Sequence, residues 1–250
     1  MLFKVLPIAL ALASTSVFAE EAVEEEKIWS GDIEFGYTNL SGNTEETTTV
    51  GKFLIKRESA PWKWQTFFEG LASEKEDERT AEKYGMFSRL EYNWTEKNYV
   101  FGRVSYEEDK FSGYEYQYTV TSGVGRNIYD LETLNWDVEA GLGFRSAESE
   151  DVIDEITGVL ISLGETEEEP IVRLSTIFTW EFAENAKFLQ LLGSELGDEN
   201  TISYSRTALE VKVIGELALK VSYIVKYTEE VPIETEHADT ETHVTLSYSF

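Results

Sequence analysis

The stretch Leu134-Asn135-Trp136-Asp137-Val138-Glu139-Ala140-Gly141-Leu142-Gly143-Phe144-Arg145 alternates an apolar residue with a polar or small one throughout. Side chains of a strand point to opposite faces in turn, so this pattern writes one apolar face and one wet face, whereas a helix gathers its apolar residues at three- and four-residue steps. The same alternation runs through Tyr114, Tyr116, Tyr118 and Val120 against Glu115, Gln117, Thr119 and Thr121. It returns at Leu217, Leu219, Val221, Tyr223, Val225 and Tyr227 against Lys220, Ser222 and Lys226. Working outward, the alternation predicts twelve strands: 28–38, 46–58, 62–73, 82–95, 98–108, 112–127, 133–147, 168–182, 187–196, 201–213, 216–228 and 239–250. Phe188, Leu189, Leu191 and Leu192 do not alternate cleanly, so the facing of the strand over 187–196 stays open.

Composition closes several classes. The 250 residues carry 48 acidic and 21 basic side chains, a net charge of -27, which argues against a nucleic-acid partner because phosphate is met by basic surface. With no cysteine there is no disulfide framework, thiolate zinc site or iron-sulfur cluster, and two histidines leave little for a metal. A content of 42% hydrophobic and 13% aromatic residues is too high for a disordered acidic chain.

Residues 1–19, with a lone Lys4, an apolar run from Val5 to Ala13 and the ending Val17-Phe18-Ala19, read as a secretory signal peptide. Its removal takes away one basic residue and leaves 20 basic against 48 acidic, a charge of -28. Residues 20–27 form an acidic leader, and 28–250 read as one domain. No later run reaches eighteen apolar residues, which excludes a helical membrane protein and leaves a barrel open, since barrel strands are only half apolar.

The connections point to such a barrel. Short turns around Ser59-Ala60-Pro61, Thr95-Glu96-Lys97, Asp130-Leu131-Glu132, Ala183 to Ala186 and Ile214-Gly215 alternate with longer segments that include Glu74 to Ala81, Ser146 to Glu167 and Glu229 to Ala238. Outer-membrane barrels have short periplasmic turns, longer external loops and an even strand count. All six tryptophans, Trp29, Trp62, Trp64, Trp94, Trp136 and Trp180, fall on the apolar face at the short-turn end. Tyr37, Tyr84, Tyr106, Tyr114, Phe144 and Tyr227 mark the other end, as aromatic belts at two membrane interfaces would. The last strand alternates Val244, Leu246, Tyr248 and Phe250 with His243, Thr245, Ser247 and Ser249, and resembles the C-terminal signal read by the outer-membrane barrel assembly machinery. The expected fold is an all-β, twelve-stranded antiparallel transmembrane barrel, monomeric, in contact with outer-membrane lipid and lipopolysaccharide.

With these residues in place, the chain resembles the YdiY-like family of salt-induced outer membrane proteins, also called domain of unknown function 481. The resemblance rests on Trp29-Ser30-Gly31 with Gly36 and Leu40-Ser41-Gly42-Asn43-Thr44, on Tyr106 to Tyr114, on Gly123-Val124-Gly125 and on Glu139 to Arg145, in that order. Lys110 stands where the family often has arginine, and Arg126 where it often has an aromatic residue. The resemblance implies an outer-membrane location and an association with salt, and supplies neither a transported substrate nor a catalytic residue.

Little in the sequence points to catalysis or to a cofactor. Gly123/Gly125 and Gly141/Gly143 do not lie between a strand and a helix, as a phosphate-cradling loop requires, and read as small residues for strand packing or curvature. His243 on the inner face could serve a barrel-borne lipid-modifying enzyme as general base, yet no spacing singles out a serine partner. His237 reads as a loop residue. No catalytic, cofactor-binding or metal-ligating residue is assigned.

Strand parity assigns eleven basic residues to the inner face, Lys52, Lys56, Lys63, Arg89, Arg103, Arg145, Arg173, Arg206, Lys212, Lys220 and Lys226. It assigns eleven acidic ones beside them, Asp32, Glu34, Glu69, Glu91, Glu107, Glu115, Asp137, Glu139, Glu181, Glu210 and Glu241. The lumen is therefore expected to be near neutral, either closed by ion pairs or narrow and water-filled, with the acid in the loops. Glu148, Glu150, Asp151, Asp154, Glu155, Glu165 and Glu167 share one external loop without a basic partner, where divalent cations could bridge to lipopolysaccharide. The expected function is a narrow passive pore or an envelope-stabilising protein. A lipid-modifying enzyme and a soluble periplasmic all-β binding module are the alternatives.

Overall fold

The computed structural model describes residues 28–40, 46–76, 78–110, 112, 114–149, 152–153, 160–231 and 236–250. The expected signal peptide and acidic leader lie outside the described residues. The strands are β1 (Trp29–Leu40), β2 (Glu46–Ser59), β3 (Trp62–Lys75), β4 (Glu78–Asn93), β5 (Asn98–Asp109), β6 (Tyr114–Leu131), β7 (Leu134–Ser149), β8 (Val152–Ile153), β9 (Leu160–Ser162), β10 (Thr166–Ala183), β11 (Ala186–Gly197), β12 (Thr201–Ile214), β13 (Leu217–Thr228) and β14 (Ala238–Ser249). Twelve of them close into a barrel in the order β1-β14-β13-β12-β11-β10-β7-β6-β5-β4-β3-β2, and every pairing is antiparallel. Each expected strand is present. The short pair β8-β9 stands apart from the barrel, inside the connection between β7 and β10.

The barrel is apolar outside and polar inside, the reverse of a soluble domain. Leu142 is 68% exposed, and Phe35, Val124, Leu246 and Val244 are also exposed on the outer face. The most deeply buried side chains are Thr121, Thr245, Ser146, Ser222 and Ser247, all bearing hydroxyls. An apolar outer band of this extent is stable only against lipid. Trp29, Trp62, Trp94 and Trp180 are exposed at the short-turn rim, while Tyr37, Tyr84, Tyr106, Phe144 and Tyr227 are exposed toward the loop rim. The indoles of Trp64 and Trp136 donate to Ser88 Oγ at 3.1 Å and Thr176 Oγ1 at 2.7 Å, which satisfies their N–H groups on the lipid-facing side.

Two local readings need correction, and one left open is resolved. The β6-β7 ladder shifts register between Tyr114 and Tyr116, and this irregularity reverses the phase. Tyr114 therefore turns inward and is buried, with its hydroxyl donating to the Glu230 carbonyl at 3.3 Å, while Glu115 is exposed. Glu74 and Lys75 pair in the ladder with Arg79 and Glu78 where the sequence predicts an external loop, and an Arg79–Glu74 ion pair measures 2.8 Å. Both faces of that extension are wet, so its strand period leaves no apolar trace. In β11 the open facing is resolved. Glu195 and Leu191 face inward, Leu192 and Leu196 are exposed outward, and leucine on both faces hid the period.

Closure depends on a short seam. β1 pairs β14 through four register pairs, from Asp32↔Ser249 to Phe35↔Leu246, whereas β1 pairs β2 from Trp29 to Leu40. Gly31 and Phe250 extend the seam by reciprocal backbone hydrogen bonds of 3.1 and 3.0 Å. The Phe250 ring lies where a Cβ on Gly31 would come within 2.6 Å of it, so glycine at this position makes room for the terminal aromatic. Gly123 and Gly141 are direct register partners, and a Cβ on Gly123 would meet Gly141 Cα at 2.5 Å. The two Gly-x-Gly pieces thus allow close backbone approach within the sheet.

Candidate functional site in the barrel lumen

Inward residues from all sides meet in charged groups. Lys220 of β13 donates to Glu34 of β1 at 2.5 Å, Lys52 of β2 lies 3.8 Å from Glu69 of β3, and Lys187 of β11 lies 3.1 Å from Glu210 of β12. Arg89 of β4 donates to Glu139 of β7 at 2.6 Å and lies 3.0 Å from Glu91, while Tyr99 of β5 donates to Glu139 at 3.0 Å. Arg145 binds Glu169 through Nε at 3.1 Å and through Nη2, and Arg173 binds Glu195 at 2.7 Å. Pairing of this kind is what makes buried charge tolerable.

Several pairs span the lumen. β13 and β5 lie six strands apart in the circuit of twelve, hence on opposite walls, and Lys226 of β13 donates directly to Glu107 of β5. Lys83 of β4 reaches Glu107 at 3.7 Å and Glu241 of β14 at 3.2 Å. Arg206 of β12 reaches Glu69 of β3, five strands away, at 3.3 Å. These bridges divide the interior and leave a cavity of about 270 Å³.

The cavity is lined by the cationic side chains Lys83, Arg89, Arg103, Arg145, Arg173, Arg206 and Lys226. Its carboxylates are Glu69, Glu107, Glu139 and Glu195, each ion-paired to one of those cations. Lys83, Arg89 and Arg145 find further partners in Glu241, Glu91 and Glu169 outside the lining. Arg103 differs. Among the described residues no carboxylate lies within 4.0 Å of it. It donates to Ser105 Oγ at 3.1 Å, and its guanidinium stacks 4.8 Å over the Phe87 ring.

The structure places the remaining sequence candidates as follows. His243 is buried on the inner face, its Nδ1 3.0 Å from Lys52 Nζ and its Nε2 3.0 Å from Glu241. Among the described residues no serine hydroxyl hydrogen-bonds it. His237 sits beside β14 at the loop rim with Nδ1 3.0 Å from the Thr228 carbonyl oxygen. Lys110, in the turn after β5, donates to Glu82, and that hydrogen bond raises its pKa. Of the seven acids in the Ser146 to Glu167 loop, Glu148, Glu165 and Glu167 are described. Among the described residues no acidic or histidine cluster is arranged to hold a metal ion. Lys56, Lys63, Lys212 and Glu181 lie at the short-turn end, where Lys63, Lys212 and Glu181 are exposed. The sequence reading missed Lys83, Glu169 and, on the strand of open facing, Lys187 and Glu195. Lys83 and Glu169 share the parity of Arg89 and Arg173, so the alternation could have found them.

Several known proteins are similar in fold or in sequence. The translocator domain of the autotransporter NalP from Neisseria meningitidis superposes with a TM-score of 0.55 at 11% identity, over 91% of this chain and 90% of that one. An outer membrane channel from Pseudomonas putida F1 gives 0.48 at 10% identity, over 92% and 100%. In sequence the chain is 29% identical over 242 residues to the Escherichia coli K12 protein YdiY, covering 96% of this chain and 91% of that one. The closed lipid-facing barrel and its two aromatic girdles place the protein in the outer membrane. A family model, "Protein of unknown function, DUF481", matches residues 33–250, the lumenal Glu139 and Arg145 among them, and the chain belongs to that family.

Proposed function

We propose that the protein is a narrow passive pore whose resting lumen is kept small by ion pairs reaching from wall to wall. The Lys226–Glu107 pair carries this reading, because it joins opposite strands and is continued by Lys83 and Glu241. An eight-stranded barrel is filled by its side chains and a sixteen-stranded one is open, so at twelve strands the lumenal residues decide the bore. Charged pairs set it here, and they can part and re-form with a solute where an apolar plug could not. The acidic loop rim would raise cation concentration at the external mouth, where divalent ions could bridge to lipopolysaccharide. The amphipathic β14 with terminal Phe250 suits recognition by the assembly machinery.

Efflux from liposomes tests the reading. Wild-type protein should release small ions while retaining sugars, and the Glu107→Gln/Lys226→Met double variant should release both. Retention of every solute by both proteins would reject a pore and favour an envelope-stabilising barrel.

A further inference from the structure

The cavity holds more cation than its own carboxylates neutralise, with seven cationic side chains lining it against four carboxylates, in a protein of net charge -27. Of the three cations in surplus, Lys83 and Arg145 are answered by Glu241 and Glu169 just outside. Arg103 is not, and its strand register sets it directly opposite Arg89 on β4, a like-charge neighbour that costs stability unless a counter-charge sits nearby. Across the ladder on its other side stands Thr121, 2% exposed, whose hydroxyl has no protein partner. Arg89 Nε, Arg173 Nε and Arg145 Nη1 are also buried N–H donors without a hydrogen-bonding acceptor. A buried donor left unmet costs about 1 to 3 kcal/mol, more when charged. Arg89, Arg145 and Arg173 line the same cavity as Arg103, and their unmet donors call for an acceptor that the protein does not supply.

We propose that the lumen contains a binding site for a small oxyanion, a carboxylate, phosphate or sulfate group, seated against the Arg103 guanidinium. The planar fork of arginine matches two oxygens of such a group. The volume of about 270 Å³ admits a compact solute with a few waters. Phe87, under the Arg103 guanidinium, holds the fork in place from behind. The site rests on the pore reading for access from outside. Its test is an equilibrium one, so binding without flux would leave the site standing and reject the pore, and flux without binding would do the reverse.

The test uses the full chain refolded in detergent. Sulfate, phosphate and acetate are each titrated against chloride at constant ionic strength, with thermal unfolding followed by tryptophan fluorescence. At least one oxyanion should raise the midpoint saturably. Arg103→Met should weaken its apparent affinity by about tenfold or more, Arg103→Lys by less, and the exposed Arg126→Gln not at all. Without oxyanion, Arg103→Met should unfold no earlier than wild type, because it removes a charge that stands opposite Arg89 and has no described carboxylate within 4.0 Å. A response that is absent, unsaturable or equal in Arg103→Met overturns the proposal. Should that variant fail to refold, selenate-soaked crystals of the wild type decide. An anomalous peak within hydrogen-bond reach of Arg103 supports the site, and a peak confined to the outer surface overturns it.

Discussion

Single ion pairs differ here by where they sit. Arg145 and Glu169 keep only 4% and 5% of their side-chain surface, and Glu169 also accepts from the backbone N–H of Glu199 at 2.8 Å. Its removal leaves a buried guanidinium with the Asn200 carbonyl oxygen and a 4.0 Å contact to Glu195. Glu169→Ala should therefore destabilise by about 3 to 5 kcal/mol. The pair between Arg79 and Glu74, with 42% and 52% of the side chains exposed, is screened, so Glu74→Ala should cost about 0 to 1 kcal/mol. Urea unfolding of both variants in lipid vesicles checks the contrast, and equal costs would show that the lumen is as wet as the surface. Glycines divide in the same way. A Cβ on Gly31 would meet the Leu54 carbonyl oxygen and the Phe250 ring at 2.6 Å, while one on Gly102 would meet nothing within 4 Å. Gly31→Val is expected to lower stability by about 1 to 3 kcal/mol and to slow barrel closure. Gly102→Val should leave both unchanged, as heat-modified gel mobility would report.

At the scale of the strand, alternation was enough wherever one face was wet and the other greasy. Trp136, Val138, Ala140, Leu142 and Phe144 on one side of β7, and Asp137, Glu139 and Arg145 on the other, could be assigned from spacing alone, and with them most of the lumenal charge. Spacing failed for physical reasons at three places. A register irregularity at Tyr114–Tyr116 reversed the phase, leucines on both faces of β11 erased it, and two wet faces over Glu74 to Arg79 left no contrast to read. Pairing across the lumen was not legible either. Parity says that Lys226 and Glu107 point inward, but only the circuit of strands makes them opposite. Facing and depth give a prediction of their own. Ala140 lies midway along β7 between the girdle residues Trp136 and Phe144, so Ala140→Arg should destabilise by about 2 to 4 kcal/mol. Leu131→Arg, at the short-turn rim where Leu131 is 61% exposed, should cost about 0 to 1 kcal/mol. Equal losses in vesicle unfolding would mean that the apolar band is not at that depth.

The whole molecule separates its charge by location. The described lumen pairs most of its cations with carboxylates, and most of the surplus acid lies in loops, turns and the leader. Screening acts on these two populations unequally, since the Debye length falls from about 10 Å at 0.1 M salt to about 3 Å at 1 M and buried pairs feel that change least. Rising salt should relieve repulsion among exposed acids while the bridges persist, so the unfolding midpoint should climb between 0.1 and 1 M NaCl. A falling midpoint would mean that the lumenal pairs are solvated and control stability.

Current through single molecules in a planar bilayer tests the bridged lumen most directly. Wild-type protein in potassium chloride should show a small conductance that flickers, and the Glu107→Gln/Lys226→Met double variant should show a larger and steadier one. A wide, steady wild-type conductance that the double variant leaves unchanged would contradict the claim that wall-to-wall ion pairs set the bore.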